Sequence, residues 1–239
     1  MFPDNFTPEN LRGCTEDSLK HLGVESLDLM QLHCLPTVVL RQGEVFDEMR
    51  KLQEAGLIRH WGVSVESMEE ALICLEQDGL TSLQIIFNVF RHKPAEILFE
   101  KAKAMNIAII VRLPLASGLL SGKLSPDSTF SENDHRGFNA DGQFFNVGET
   151  FAGLGLDKGT ELADELKPFV PEDMSMATMA LRWILDFDGI TTIIPGASRM
   201  EQAQANASAS KLPSLPDELH EKLKAFYSER VMSHIRGPY

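Results

Sequence analysis

The chain has 239 residues, of which 43% are hydrophobic and 24% are charged, as is typical of one large globular domain or two small ones. Its formal net charge of −13 and its pI near 5.0 argue against partners such as nucleic acid or anionic membranes. No run approaches the ~20 apolar residues that cross a bilayer, and the polar start resembles no signal or transit peptide, so we expect a cytoplasmic protein.

Helix-like and strand-like segments alternate along the chain. A first helix is predicted to begin at Thr7-Pro8, because threonine is a good N-cap and proline suits the first helical position, and to end at Gly23. Ser67 and Glu70 have the spacing of a capping box at another helix start. The remaining predicted helices cover residues 44–55, 94–105, 157–167, 175–186 and 216–228, with a short one that Ser198 would cap.

Short apolar segments predict five β-strands, at residues 27–32, 61–65, 83–87, 107–111 and 190–194. Strands that alternate with helices predict a parallel sheet with right-handed crossovers, and the continuous apolar run at 107–111 predicts helices on both of its faces. A closed barrel needs eight such strands, whereas a doubly wound fold needs a GxGxxG turn that this sequence lacks. Residues 125–155 show no periodicity and predict a long loop. No linker divides the chain, so we expect residues 1–239 to form a single domain.

Candidate functional residues follow the predicted strands, because parallel α/β folds collect function at the carboxyl ends of their strands. His33 follows the first strand and could orient a carbonyl or donate a proton, although a structural histidine is the plainer interpretation. Ser64 could bind a ligand or belong to the loop before the Ser67 cap. Gln84 and Asn88 share one face of the third strand, where they could bind a ligand amide or satisfy backbone groups.

The fourth and fifth strands are followed by residues that suit an anion. Arg112 comes from a buried strand, so its charge needs an anionic or stacking partner. Gly118 permits close backbone approach, and Lys123 suits a phosphate. After the fifth strand, a helix start offers free N–H groups, and its polar side chains could reach one ligand or form a solvated polar face. These side chains are Ser198, Arg199, Gln202 and Asn206.

Taken together, these segments resemble the aldo-keto reductase family. The resemblance extends from Phe6 to about Tyr227. It implies an α/β fold of the (β/α)8 TIM-barrel type, incomplete here because about five of eight parallel strands are present. The segments that carry it are LDLMQLH at 27–33, GVS at 62–64, residues 84–88, PLASGLLSGK at 114–123 and IPGAS at 194–198.

The resemblance implies a nicotinamide cofactor, NADP(H) rather than NAD(H) because Arg199 could pair with a 2′-phosphate. Ser64 and Gln84 would hold the carboxamide, and Arg112 would stand where an aromatic residue often stacks on the nicotinamide. The residues that would line the pyrophosphate are Leu115, Ser117, Gly118 and Lys123. The residues that would meet the adenosine end are Gly196, Ser198, Arg199, Gln202 and Asn206.

The resemblance also implies an active-site histidine, His33, that acts on small carbonyl or alcohol substrates. The family's catalytic Asp, Tyr and Lys precede the helix that begins here at Thr7, and the two tyrosines of this chain are Tyr227 and Tyr239. We therefore expect an N-terminally truncated member with little activity, or alternatively a non-catalytic relative that binds a nucleotide or a partner. The three cysteines form no CxxC pair, which predicts free thiols and no metal site. No sequence pattern predicts the oligomeric state.

Overall fold

The computed structural model describes residues 6–239, and at its centre is a parallel β-sheet of five strands. The strands are β1 (Leu27–His33), β2 (Ile58–Ser64), β3 (Leu80–Ile86), β4 (Ala108–Arg112) and β5 (Thr192–Ile193). They lie in chain order, and each is parallel to its neighbour. The predicted parallel sheet is confirmed, although β5 is shorter than the segment 190–194.

Eleven α-helices lie among the described residues. They are α1 (Pro8–Leu22), α2 (Thr37–Gln42), α3 (Glu44–Glu54), α4 (Met68–Leu75), α5 (Lys93–Ile97), α6 (Phe99–Ala104), α7 (His135–Phe138), α8 (Leu156–Leu166), α9 (Met176–Leu185), α10 (Met200–Ser208) and α11 (Asp217–Phe226). No helix of this part of the chain is both long and apolar enough to cross a membrane.

The predicted helix caps are largely confirmed. Thr7 accepts a hydrogen bond from the Asn10 N–H, and Ser67 and Glu70 form a reciprocal capping box. Two expectations differ from the structure. The predicted helix at 94–105 is divided at Leu98 into α5 and α6, and the expected loop at 125–155 contains α7 and two single 3-10 turns.

The two faces of the sheet have different environments. One face carries a row of fully buried side chains that belong to the hydrophobic core beneath the helices. This row consists of Leu32, Val63, Leu83 and Ile109. On the opposite face Ile110 is only half-buried, so the prediction that helices cover both faces of β4 is wrong. In a closed barrel this face would meet the side chains of other strands rather than helices, and the five described strands do not close.

The strand register places the candidate residues level with one another. His33 is opposite Ser64, and Ser64 is opposite Gln84. A Cβ atom built on Gly62 would lie 2.1 Å from Ser82 Oγ, so only glycine lets β2 and β3 approach this closely just before Ser64. The same pairing carries a register shift between Trp61 and Gly62.

Candidate functional site

Three of the sequence-predicted residues form one row at the carboxyl edge of the sheet. Residues paired across parallel strands point to the same face, so His33, Ser64 and Gln84 project together from the open face. His33 is exposed, Gln84 is half-buried and Ser64 is buried. Partial burial and the nearby Arg112 charge lower the pKa of His33. The imidazole is therefore mainly neutral at pH 7 and can donate one hydrogen bond.

Arg112, at the end of β4, is only 6% exposed and is bound on several sides. Its guanidinium forms an ion pair with Glu149 through Nη1. Nη2 donates to the Val65 carbonyl oxygen at 3.1 Å and to Cys34 Sγ at 3.7 Å. The anionic partner that Arg112 required is thus a carboxylate from the segment expected to be a loop. Sequence reasoning missed Glu149, because no pattern joins residues 37 positions apart.

A second carboxyl group lies beside this ion pair. The ligand atoms of Cys34, Glu66 and Glu149 all lie within 4.8 Å of one another. Burial and the Glu149 charge raise the pKa of Glu66 to about 7, and burial raises the pKa of the Cys34 thiol to about 12. At neutral pH the cluster therefore contains a protonated thiol and a carboxyl group that can hold or release a proton.

Seven of the other predicted cofactor residues line an open cleft of about 760 Å³, whereas Arg199 and Asn206 do not line it. This volume lies within the usual range of ligand pockets. The predicted residues that it brings together are Leu115, Ser117, Gly118, Lys123, Gly196, Ser198 and Gln202. Asp134 and Arg136 also line the cleft, and the sequence did not single them out because they lie in the non-periodic segment.

The backbone after β4 adopts an uncommon conformation along the cleft. Ala116, Ser117 and Gly118 have φ angles of 49°, 56° and 99°, in the left-handed region that favours glycine. The Ser117 hydroxyl donates to the Glu149 carbonyl at 3.3 Å and accepts from the Phe151 N–H at 3.0 Å. Ser117 thus fixes the segment that carries Glu149 against the cleft, a role that sequence reasoning did not assign to it.

The start of α10 differs from its predicted form. Its N-cap is Arg199, so the assignment of the cap to Ser198 is wrong by one residue. Gln202 Oε1 accepts from Ser198 N, Ser198 Oγ and Arg199 N at 2.8, 3.0 and 3.2 Å, and so satisfies the two backbone N–H groups just before the helix. Asn206 Nδ2 donates to the Gly196 carbonyl at 3.2 Å. Gln202 and Asn206 therefore hold the loop at 196–199, and Arg199 is exposed beside it.

Comparison with known proteins shows the family of the chain. The model of the aldo/keto reductase family matches residues 1–228. The chain belongs to the aldo/keto reductase family. Aldo-keto reductase YhdN of Bacillus subtilis (strain 168) is 30% identical over 191 residues, which are 80% of this chain and 55% of the relative. Probable aldo-keto reductase 1 of Glycine max is 25% identical over 228 residues, which are 94% of this chain and 63% of the relative.

Solved structures confirm the fold of this aldo/keto reductase. The glycerol dehydrogenase AKR11B4 from Gluconobacter oxydans is 27% identical, with a TM-score of 0.74 over 98% of this chain and 68% of that one. The holo form of aldo-keto reductase AKR11C1 from Bacillus halodurans, at 22% identity and a TM-score of 0.72, supports the fold alone. The prediction of an incomplete (β/α)8 barrel is confirmed. The chain spans 55 to 65% of the length of the curated relatives that it matches.

Proposed function

We propose that this chain is an NAD(P)(H)-dependent oxidoreductase that interconverts the carbonyl and alcohol groups of small molecules such as aldehydes, ketones or sugars. The observation that carries the proposal is the level row of His33, Ser64 and Gln84 beside a cleft lined by Gly118 and Lys123. Family membership supports the assignment of the chain to NAD(P)H-dependent oxidoreductases in general, because the family consists of oxidoreductases that generally use NAD(P)H. The proposal includes one domain over residues 1–239, which a single contiguous core supports.

The residues present fit an extended dinucleotide. Ser64 and Gln84, neighbours on one face, would hold the carboxamide, and the cleft would hold the pyrophosphate. Nothing lies within 4 Å of a Cβ built on Gly196, so there is open space beside the adenosine subsite that we assign to Arg199. The Arg112 guanidinium, held by Glu149, would offer a fixed plane to the nicotinamide.

The chemistry divides between the cofactor and the chain. When bound, the cofactor supplies or accepts the hydride. The neutral imidazole of His33 would donate a hydrogen bond to the substrate oxygen and so stabilise the negative charge that develops there. Glu66 can exchange a proton near pH 7.

We also propose that residues 1–239 alone turn over slowly. The phenol oxygens of Tyr227 and Tyr239 are hydrogen-bonded to each other at 2.7 Å, and the Lys93 backbone N–H donates to the Tyr239 phenol oxygen at 3.0 Å. Neither phenol of the described chain therefore serves the His33 row. A positioned general acid contributes ~10²- to 10⁴-fold, and we expect turnover to be reduced by about this factor relative to an active family member.

Cofactor titration tests the binding part of this proposal. Tryptophan fluorescence of the 239-residue chain would be titrated with NADPH and NADH. We expect Ser64→Ala and Gln84→Leu to raise both dissociation constants about tenfold, since each removes a hydrogen bond. We expect Arg199→Ala to raise mainly the NADPH constant. Absence of binding by the unmodified chain would refute the nucleotide part of the proposal.

Steady-state assays with NADPH and a panel of aldehydes and ketones test the activity part. A turnover equal to that of an active family member would contradict the slow rate that we propose. Binding without any turnover would favour the second candidate, a non-catalytic nucleotide- or partner-binding relative. The observation that favours a partner-binding function is the open sheet face, where Ile110 is half-buried and Leu29 is 37% exposed.

We further propose a cytoplasmic location. Cys14, Cys34 and Cys74 are all free thiols, as a reducing compartment would maintain them. Alkylation of the protein in freshly lysed cells, followed by mass spectrometry, should find all three cysteines reduced. Recovery of a disulfide would contradict this location.

A further inference from the structure

Glu66 is a carboxyl group at the same sheet edge as His33, and the cofactor cleft does not use it. It follows β2, two residues after Ser64. The Glu66 backbone N–H donates to Glu70 Oε2 at 2.9 Å. The preceding residue, Val65, still donates its N–H to the β3 backbone at 3.0 Å. Hydrogen bonds on both sides therefore hold the backbone of Glu66 at the end of the sheet.

The thiol of Cys34 connects Glu66 with His33. Its Sγ lies 3.7 Å from His33 Nε2 and within 4.8 Å of a Glu66 carboxylate oxygen. The same sulfur lies 4.0 Å from Ser64 Oγ. The imidazole and the carboxyl group thus border one space at the end of the sheet. An oxygen that lies between them is within reach of both, directly or through one water.

The other ionisable groups beside His33 are not available as proton donors. Glu149 is engaged by Arg112 in an ion pair. Burial raises the pKa of the Cys34 thiol to about 12, so this group keeps its proton at neutral pH. In the part of the chain that the structure describes, the carboxyl group next to Cys34 that is not paired with a cation is that of Glu66.

The surroundings of Glu66 keep a proton available near neutral pH. Burial first, then the charges of Glu149 and of Glu70 in α4, raise its pKa to about 7, against an opposing effect of Arg112 in β4. The group is therefore divided between acid and carboxylate at the pH of the cytoplasm. A general acid–base group is most effective when its pKa lies near the working pH.

We propose that Glu66 is the proton donor to the substrate oxygen in carbonyl reduction and the acceptor of the same proton in alcohol oxidation. The assignment rests on the proposed function. In reduction, the carbonyl carbon accepts the hydride, the electron pair of the C=O π bond moves to the oxygen, and the oxygen takes the proton of the Glu66 carboxyl group. The resulting carboxylate is half-buried and recovers a proton from water. A donor of this kind replaces a rigidly positioned acid only in part, so turnover stays slow.

The test is the pH dependence of single-turnover rates, measured with NADPH and an aldehyde and, in reverse, with NADP⁺ and the corresponding alcohol. For the unmodified chain, the reduction rate should fall as the pH rises through about 7, and the oxidation rate should rise over the same interval. The physical reason is that reduction needs the carboxylic acid and oxidation needs the carboxylate. His33 would place an inflection lower, because burial and the Arg112 charge lower its pKa from 6.5.

Variants at position 66 separate proton transfer from binding. Glu66→Gln preserves the shape of the side chain and should lower the reduction rate at about pH 6 at least tenfold, abolish the inflection and leave the NADPH dissociation constant unchanged within about twofold. Glu66→Asp restores a carboxyl group and should recover part of the rate together with the inflection. Glu69→Gln, at an exposed neighbouring position, is the matched control and should retain both the rate and the pH profile.

Each other outcome would overturn the assignment. If Glu66→Gln keeps the rate and the inflection, Glu66 is not the donor, and the proposed function stands without it. If Glu66→Gln raises the NADPH dissociation constant and regains the full rate at saturating cofactor, Glu66 positions the cofactor instead. If the unmodified chain binds NADPH without turnover, the assignment fails together with the catalytic part of the proposed function, and if it binds no nucleotide, the whole of that function fails as well.

Misfolding does not leave the assignment untested. Circular dichroism identifies a variant that fails to fold, and the two pH profiles of the unmodified chain need no variant. Profiles without opposite inflections near pH 7 would by themselves overturn the assignment.

Discussion

Arg112 and Arg136 are both paired with a carboxylate from the segment after β4, but they lie in opposite environments. The side chain of Arg112 is 7% exposed and its Glu149 partner 17%, whereas Arg136 and Asp134 are 31% and 22% exposed. Arg112 also donates to the Val65 carbonyl and to Cys34 Sγ, so most of its donors are engaged within the protein. Arg136 keeps Nη1 directed toward the cleft.

The difference follows from the energetics of burial. A guanidinium removed from water must find internal acceptors, and an unpaired buried charge costs several kcal/mol. A cation at the edge of a cleft remains solvated, so it can leave a donor free until a ligand arrives. The inner part of the candidate site should therefore contribute mainly to stability and geometry, and the outer cleft mainly to binding.

The largest expected effect on stability concerns the ion pair of Arg112 and Glu149. Arg112→Met leaves the largely buried Glu149 carboxylate without its cation, and we expect the free energy of unfolding to fall by about 3–5 kcal/mol in urea titrations. The double variant Arg112→Met with Glu149→Leu should recover most of that loss, because neither charge then remains buried. If Arg112→Met lowers the free energy of unfolding by less than about 1 kcal/mol, the ion pair of Arg112 and Glu149 contributes no more to stability than a surface ion pair does.

A smaller effect on stability is expected from Glu66, which lies beside the ion pair of Arg112 and Glu149. Burial first, then the Glu149 and Glu70 charges, raise the pKa of Glu66 from 4.5 to about 7, against an opposing effect of Arg112. The folded state therefore keeps this proton to higher pH than the unfolded state does. Its stabilising contribution is full below about pH 4.5 and is lost as the pH rises toward 7.

Urea titrations at about pH 5 and about pH 7.5 measure this contribution. Between these values the unmodified chain should lose about 1 kcal/mol more stability than Glu66→Gln does, a figure reduced for the partial exposure of Glu66. Glu69→Gln, at an exposed neighbouring position, is the matched control and should retain the slope of the unmodified chain. Equal slopes for Glu66→Gln and the unmodified chain would refute the raised pKa.

The smallest effect on stability is expected in the outer cleft. Arg136→Gln breaks a partly exposed ion pair and should change the free energy of unfolding by less than about 1 kcal/mol. The same urea titrations measure this change. A loss as large as that of Arg112→Met would remove the contrast between the two arginines.

Features that depend on local rules were predictable from the sequence. Thr7 before Pro8 and the Ser67–Glu70 spacing marked helix starts, because capping is decided within four residues. The positions of His33 and Ser64 after apolar segments placed them at strand ends, because parallel strands bring their carboxyl ends to one edge. The ion-pair partners supplied by residues 125–155 were not predictable, because this segment has no helical or strand periodicity from which a contact could be inferred.

By itself, the sequence determined the family, the order of parallel strands and the residues that follow each strand. The tertiary structure decided which of those residues meet. It paired Arg112 with Glu149, made Gln202 the acceptor at the start of α10, and directed Arg136 toward Gly118. The physical reason is that helix caps and strand periods are short-range, whereas the partner of a buried charge is whichever group the packed chain brings within hydrogen-bonding distance.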